Sequence, residues 1–125
     1  MQGLYAPAFL CYNLAMQNLH EYIKFLGLTK PVVVRVKTRA NKHYDGFYIA
    51  RYSDRTGKLL EHRITIHVTK NARAFDTLLA HELIHAWQEE NKKTEIHGKH
   101  FKRLAKAMGE HFGIDEIYLK GVDEN

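Results

Sequence analysis

The chain has 125 residues, 45% of them hydrophobic and 26% charged. That length suffices for one hydrophobic core with at most one functional site and is too short for a second large module, and the composition is that of a globular domain spanning 1–125, not of a disordered tail. Net charge is +5 with Cys11 as the single cysteine, which excludes an internal disulfide and a four-thiolate zinc ribbon and points to a reducing, cytoplasmic setting.

The first residues lack a basic n-region, and Asn13, Gln17, Asn18 and His20 interrupt their apolar run. Neither a signal peptide nor a membrane anchor is expected, and no membrane contact. Apolar residues at Phe9, Tyr12, Leu14, Met16, Leu19, Ile23 and Leu26 predict an amphipathic helix over 8–26, stopped by Gly27, with Cys11 as a packing residue. Pro31 opens a β-branched run whose Val32, Val34 and Val36 share one face, opposite Val33, Arg35 and Lys37. Further strands are predicted at Gly46 to Tyr52 and Leu60 to Thr69, joined through a turn at residues 53–57. In the third strand Ile64, Ile66 and Val68 alternate with Arg63, Thr65 and His67, as suits a sheet covered on one side only.

A long helix follows Asn71, a plausible N-cap, with Phe75, Leu78, Leu79, Leu83 and Ala86 as its packing stripe. After a charged loop, residues 99–112 read as another helix closed by Gly113, and residues 114–122 fit either a short helix or a strand. The fold class is α+β: a zincin-like, minimal gluzincin-type core. A small, mainly antiparallel sheet packs on the N-terminal helix and the long helix, and a further helix follows.

The long helix carries His81-Glu82-Leu83-Ile84-His85. Histidines four residues apart project from one helical face and reach a single ion, and Glu82 is placed to take a proton from water without ligating the metal. The expected cofactor is Zn2+, with His81 and His85 as ligands and Glu82 as the catalytic base. A catalytic zinc takes three protein ligands, and the downstream candidates are His97, His100 and His111, with Glu89, Glu90, Glu95 and Glu110 as carboxylate options. Glu89 lies roughly 12 Å along the axis from His81, too far to share the ion. His97 can fold back after the loop, and Gly98 permits close backbone approach.

HELIHAWQ followed by HGKHF resembles the SprT/Spartan family of zinc metalloproteases, over about residues 10 to 112 and as the catalytic core alone. The resemblance implies that His97 is the third zinc ligand, that His100 falls at a variable position and that Phe101 packs behind the site. It also implies cleavage of protein substrates, notably proteins bound or crosslinked to DNA. Bacterial members commonly add a C-terminal cysteine ribbon and Spartan proteins long binding tails, and the resemblance covers neither.

The run RITIHV is expected to hold substrate by strand addition, with His67 a polar residue on the open sheet face. Trp87 reads as core, and Tyr118 and His111 as candidate hydrogen-bond donors to a tetrahedral intermediate. Residues 1–75 hold 12 Lys/Arg against 4 Asp/Glu, while residues 76–125 hold 7 against 10. Arg35, Lys37, Arg39 and Lys42 in the basic N-terminal half, and Lys99, Lys102, Arg103 and Lys106 on the last helix, are candidate DNA contacts if they face one way, and solvated faces otherwise. The leading function is a zinc metallopeptidase. The alternatives are a zincin-fold DNA-binding or regulatory protein whose zinc is mainly structural, and a zinc hydrolase of a non-peptide substrate.

Overall fold

The structure is a computed structural model that describes residues 18–38, 45–68, 73–120 and 122–123. Helix α1 is described over residues 18–26 and buries Leu19, Tyr22 and Leu26, one stripe at helical spacing. Gly27 ends it at φ 69°, where a side chain would be strained, and Leu28 N–H donates to Ile23 O. Residues 8–17 of the expected helix, Cys11 among them, lie outside the described residues.

Strands β1 (Val32–Lys37), β2 (Gly46–Tyr52) and β3 (Leu59–His67) form one sheet in the order β1-β3-β2. β2 and β3 make an antiparallel hairpin through a turn in which the Ser53 hydroxyl accepts from Arg55 and Thr56 N–H and Gly57 takes φ 68°. β1 pairs with β3 in parallel, so the sheet is mixed and not mainly antiparallel. After β1 the chain reverses into β2 at the far edge and leaves a slot that β3 fills. Side-chain alternation identifies the faces of a strand but carries no information on which partner lies beside it. β3 ends at His67, two residues short of the expected end. It is also buried on both faces, since Thr65 and His67 are 8% and 6% exposed beside Ile64 and Ile66.

Helix α2 (Phe75–Glu90) is the centre of the molecule, packed on β2 and β3 on one side and on helix α3 (Lys99–Phe112) on another. The expected stripe is too narrow: Ala80 and Ile84 are as inaccessible as Leu79 and Leu83, so α2 is buried nearly all round. Fully burying such a leucine or isoleucine contributes about 1.5–3 kcal/mol. The helix begins after Ala74, with no side-chain cap, and the expected cap Asn71 lies outside the described residues.

α3 is amphipathic, with Phe101, Ala105 and Met108 buried and Lys99, Lys102, Arg103 and Lys106 exposed. Gly113 closes it in the left-handed conformation, as expected. Residues 114–120 form neither helix nor strand. They are held by tertiary contacts: Ile117 is 2% exposed in the core, and the Thr77 hydroxyl donates to Asp115 O. Among the described residues, no helix is long and apolar enough to cross a membrane.

Candidate metal centre

Helical spacing brings His81 and His85 to one side of α2, and the loop after Glu90 returns the chain so that His97, just before α3, faces them. The ring centroids lie 5.0, 5.1 and 5.1 Å apart, nearly an equilateral triangle, and the three candidate ligand atoms fall within 4.8 Å of one another. Phe101, fully buried, stands 4.8, 4.9 and 4.8 Å from the three rings and forms the floor beneath them. A Cβ at Gly98 would fall 2.6 Å from Glu95 Cβ, so the close approach that delivers His97 requires glycine.

Two tautomers follow from the shortest contacts, each to an oxygen that can only accept; Arg73 Nη1, 3.4 Å from His81 Nδ1, lies nearer to Glu116 O and Ile117 O at 3.2 Å. His81 Nδ1–H donates to Ile117 O at 2.7 Å, which leaves the Nε2 lone pair for the centre. His85 Nδ1 lies 2.8 Å from Gln88 Oε1, and since Gln88 Nε2 donates to Glu95 O at 2.8 Å, the amide oxygen is the acceptor and His85 Nε2 is likewise free. His97 Nε2 is 3.2 Å from His81 Nε2. Nitrogens about 2.0–2.1 Å from one tetrahedral ion sit about 3.3–3.4 Å apart, so this edge already has nearly the length a zinc site needs. Burial pushes both His81 and His85 down to about 4, with the Ile117 carbonyl opposing the shift at His81 and Gln88 opposing it at His85. Both imidazoles are therefore neutral at pH 7, as ligands must be. The donor set fits a zinc-type ion, and His81, His85 and His97 could hold a metal.

Glu82 does not join the trio. Its Oε2 lies 4.0 Å from His81 Nε2, beside the centre, and the residue is 5% exposed. Burial raises its carboxyl to about 8, with Arg73 opposing and Asp123 adding to the shift, and a cation held by the three rings would favour the carboxylate. Gly46, at the start of β2, makes room for it: a Cβ there would meet Thr65 O at 3.2 Å and Glu82 Oε2 at 3.4 Å.

An open cleft of about 540 Å³ leads to the centre, walled by Gly46, Phe47 and Tyr48 of β2 and by Lys93, Thr94 and Ile96 of the loop. The strand at the cleft is therefore β2. The expected strand, RITIHV, belongs to β3, which is central and paired on both sides, so it has no edge to offer. His67 N–H donates to Asp45 O, and the register of the hairpin then turns the backbone N–H and C=O of Gly46 and Tyr48 away from β3, toward the edge that no strand among the described residues covers.

The other expected candidates lie elsewhere. His100 faces the half-buried Trp87 at 6.2 Å, and His111 stacks on Phe25 at 5.0 Å. Glu89 accepts from the Tyr52 hydroxyl, Glu90 from Thr29 and Lys30 N–H, and the Glu95 side chain lies against Gly98. Tyr118 neighbours His97 at 6.4 Å but lies outside the cleft walls. Arg35 and Lys37 stand exposed on the outer face of the sheet, while the α3 lysines sit on a helix that packs on α2, so the two basic groups belong to separate layers. Arg39 and Lys42 lie outside the described residues.

Four contributors escaped the reading of the sequence: Arg73, Gln88, Gly46 and Asp123. Gln88, three residues after His85, carries a helical-spacing signal that could have found it. Arg73 Nη2 binds Asp123 Oδ1 at 2.5 Å across 50 residues, and no local pattern announces that pair. The sequence profile of the SprT-like family matches residues 17–120. No curated protein and no solved structure gives a significant match.

Proposed function

The chain belongs to the SprT-like family, and from that premise we propose that it is a zinc-dependent metallopeptidase with a zincin-like core, in which His81, His85 and His97 bind the ion and Glu82 is the general base. The observation that carries this reading is the pairing of a three-nitrogen donor set with a buried carboxylate beside it that no ligand role consumes. A purely structural site has no need of that carboxylate.

Zinc, when bound, supplies Lewis acidity toward the scissile carbonyl and makes a water more acidic. The protein's own groups do the rest. An extended substrate adds to the free edge of β2, where the outward backbone groups of Gly46 and Tyr48 fix its register along the cleft. Glu82 accepts the proton of the attacking water and returns it to the leaving amine, which is why it must sit beside the donor set without binding in it. Phe101 and the walls of α2 keep the floor dry, so charges that develop there are felt at low dielectric. Contact with DNA is a further proposal, supported by the exposed Lys99, Lys102, Arg103 and Lys106 on one side of α3.

The test is Glu82→Gln, which keeps size and hydrogen-bonding capacity but cannot accept the proton. Turnover of protein substrates should fall by at least about 10²–10⁴-fold with one zinc still bound per chain. Full activity with zinc in place would sink the mechanism. Running the assay with and without single- and double-stranded DNA tests the substrate class, and identical rates under all three conditions would remove DNA from the proposal.

A further inference from the structure

His81 is the ligand whose second nitrogen is held from farthest away in the sequence. Its Nδ1–H donates to the carbonyl of Ile117, 36 residues on, in a segment with no helix or strand to hold it. That carbonyl has to be placed by something else. Ile117 is anchored through its side chain in the core, which does not by itself set the direction of its carbonyl.

The group that places the carbonyl is Arg73, directly before α2. Its Nη1 donates to both Glu116 O and Ile117 O at 3.2 Å, and its Nη2 to Asp123 Oδ1 at 2.5 Å. The other Asp123 oxygen accepts from Leu119 N–H at 2.6 Å and lies 3.9 Å from His81 Nδ1. Arg73 and Asp123 thus bracket residues 116–119 from both sides, and their side chains are only 10% and 9% exposed. Glu116 is drawn into the left-handed conformation, φ 64°, which a non-glycine residue keeps only where its surroundings hold it. A guanidinium presents its donors as a rigid planar fork, so one side chain can bind two carbonyls and a carboxylate in a single orientation.

We propose that Arg73 and Asp123 are positioning residues for the metal centre: they clamp the C-terminal strap so that the Ile117 carbonyl holds His81 with Nδ1 protonated and Nε2 turned toward His85 and His97. The inference rests on the reading of the histidine trio as a metal site and adds the part of the chain that makes it a tight one. Groups that orient a ligating histidine through its other nitrogen typically account for about 10–100-fold in metal affinity.

The experiment measures zinc affinity by chelator competition and, on the metal-free protein, the His81 ring tautomer by long-range proton–nitrogen NMR. Asp123→Asn and Arg73→Met are compared with wild type and with Glu90→Gln, which loosens the opposite end of α2 and touches nothing in the strap. Asp123→Asn and Arg73→Met should bind zinc about 10–100-fold more weakly and lose the single His81 tautomer, while Glu90→Gln, though less stable, keeps both. Should neither strap variant fold, Arg73→Lys decides: it keeps the charge but gathers its donors on one nitrogen, which cannot span the acceptors that Nη1 and Nη2 hold separately, so it should show the same loss. Folded strap variants with wild-type affinity and an intact His81 signal overturn the proposal. So does an equal loss in Glu90→Gln, which would reduce the effect to general stability. Failure of the wild type itself to bind zinc would strike the metal site, a result distinct from either.

Discussion

The C-terminal end of α2 and its middle are each tied to the rest of the chain by a buried histidine near a carboxylate, yet only the middle brings three imidazoles together. At the C-terminal end His62, fully buried in β3, has both ring nitrogens taken by the protein: Nδ1 by the Tyr48 hydroxyl at 2.6 Å and Nε2 by Glu90 Oε2 at 2.6 Å. Around the middle of the helix, His81 and His85 each spend one nitrogen on a protein acceptor and turn the other toward His97. The residue type and the burial are alike. What separates a structural histidine from one that could hold an ion here is whether its second nitrogen has been used, and a buried imidazole with both nitrogens bonded has nothing left for an ion.

The sharpest way to break that contrast is to remove the histidines one at a time. His81→Ala, His85→Ala and His97→Ala should each strip zinc from the protein, read as metal content after dialysis, whereas His100→Ala should keep it. His62→Ala should also keep it but cost about 2–4 kcal/mol in denaturant unfolding, because Tyr48 and Glu90 lose their buried partner. Metal loss in His62→Ala at full folding would erase the distinction.

A smaller effect separates the two regions by pH. Burial opposes ionisation of Glu90, but hydrogen bonds from His62, from the Thr29 amide and hydroxyl and from Lys30 N–H outweigh it and hold the carboxyl below its ordinary 4.5. A group whose folded value is depressed adds stability that is complete above its unfolded value and is lost as pH falls through the folded one. Glu90→Gln should therefore destabilise the protein by on the order of 1–2 kcal/mol at neutral pH and by less and less below about pH 4.5. Unfolding curves for the two proteins that stay parallel from pH 7 to pH 3 would show that this end is not held by the charge.

The mildest test falls on the wall between the two regions. Gly46→Ala places a methyl group against Thr65 O and Glu82. Zinc content should not change, since no ligand is touched, while turnover falls several-fold because the base is displaced by a few tenths of an ångström. Unchanged turnover would mean that β2 or the Glu82 side chain yields without consequence.

The sequence by itself determined the local parts of this protein. Helical spacing placed His81 and His85 on one face of α2, alternation sorted the faces of β1, and Gly27 and Gly113 marked two helix ends, because each of these is decided within a few residues by backbone geometry. The His97 assignment came from the pattern HGKHF, not from the spacing of the residues, which excluded Glu89 but left His100, His111 and three glutamates open. Only the tertiary structure decided between them, because whether the loop returns one imidazole or another depends on how α3 packs on α2 through Phe101. The same holds for β3 at the centre of the sheet, β2 at the cleft, and the reach of Arg73 to Asp123. Pairing partners and salt links across 50 residues are chosen by packing of the whole chain, and the identity of neighbouring residues does not encode them.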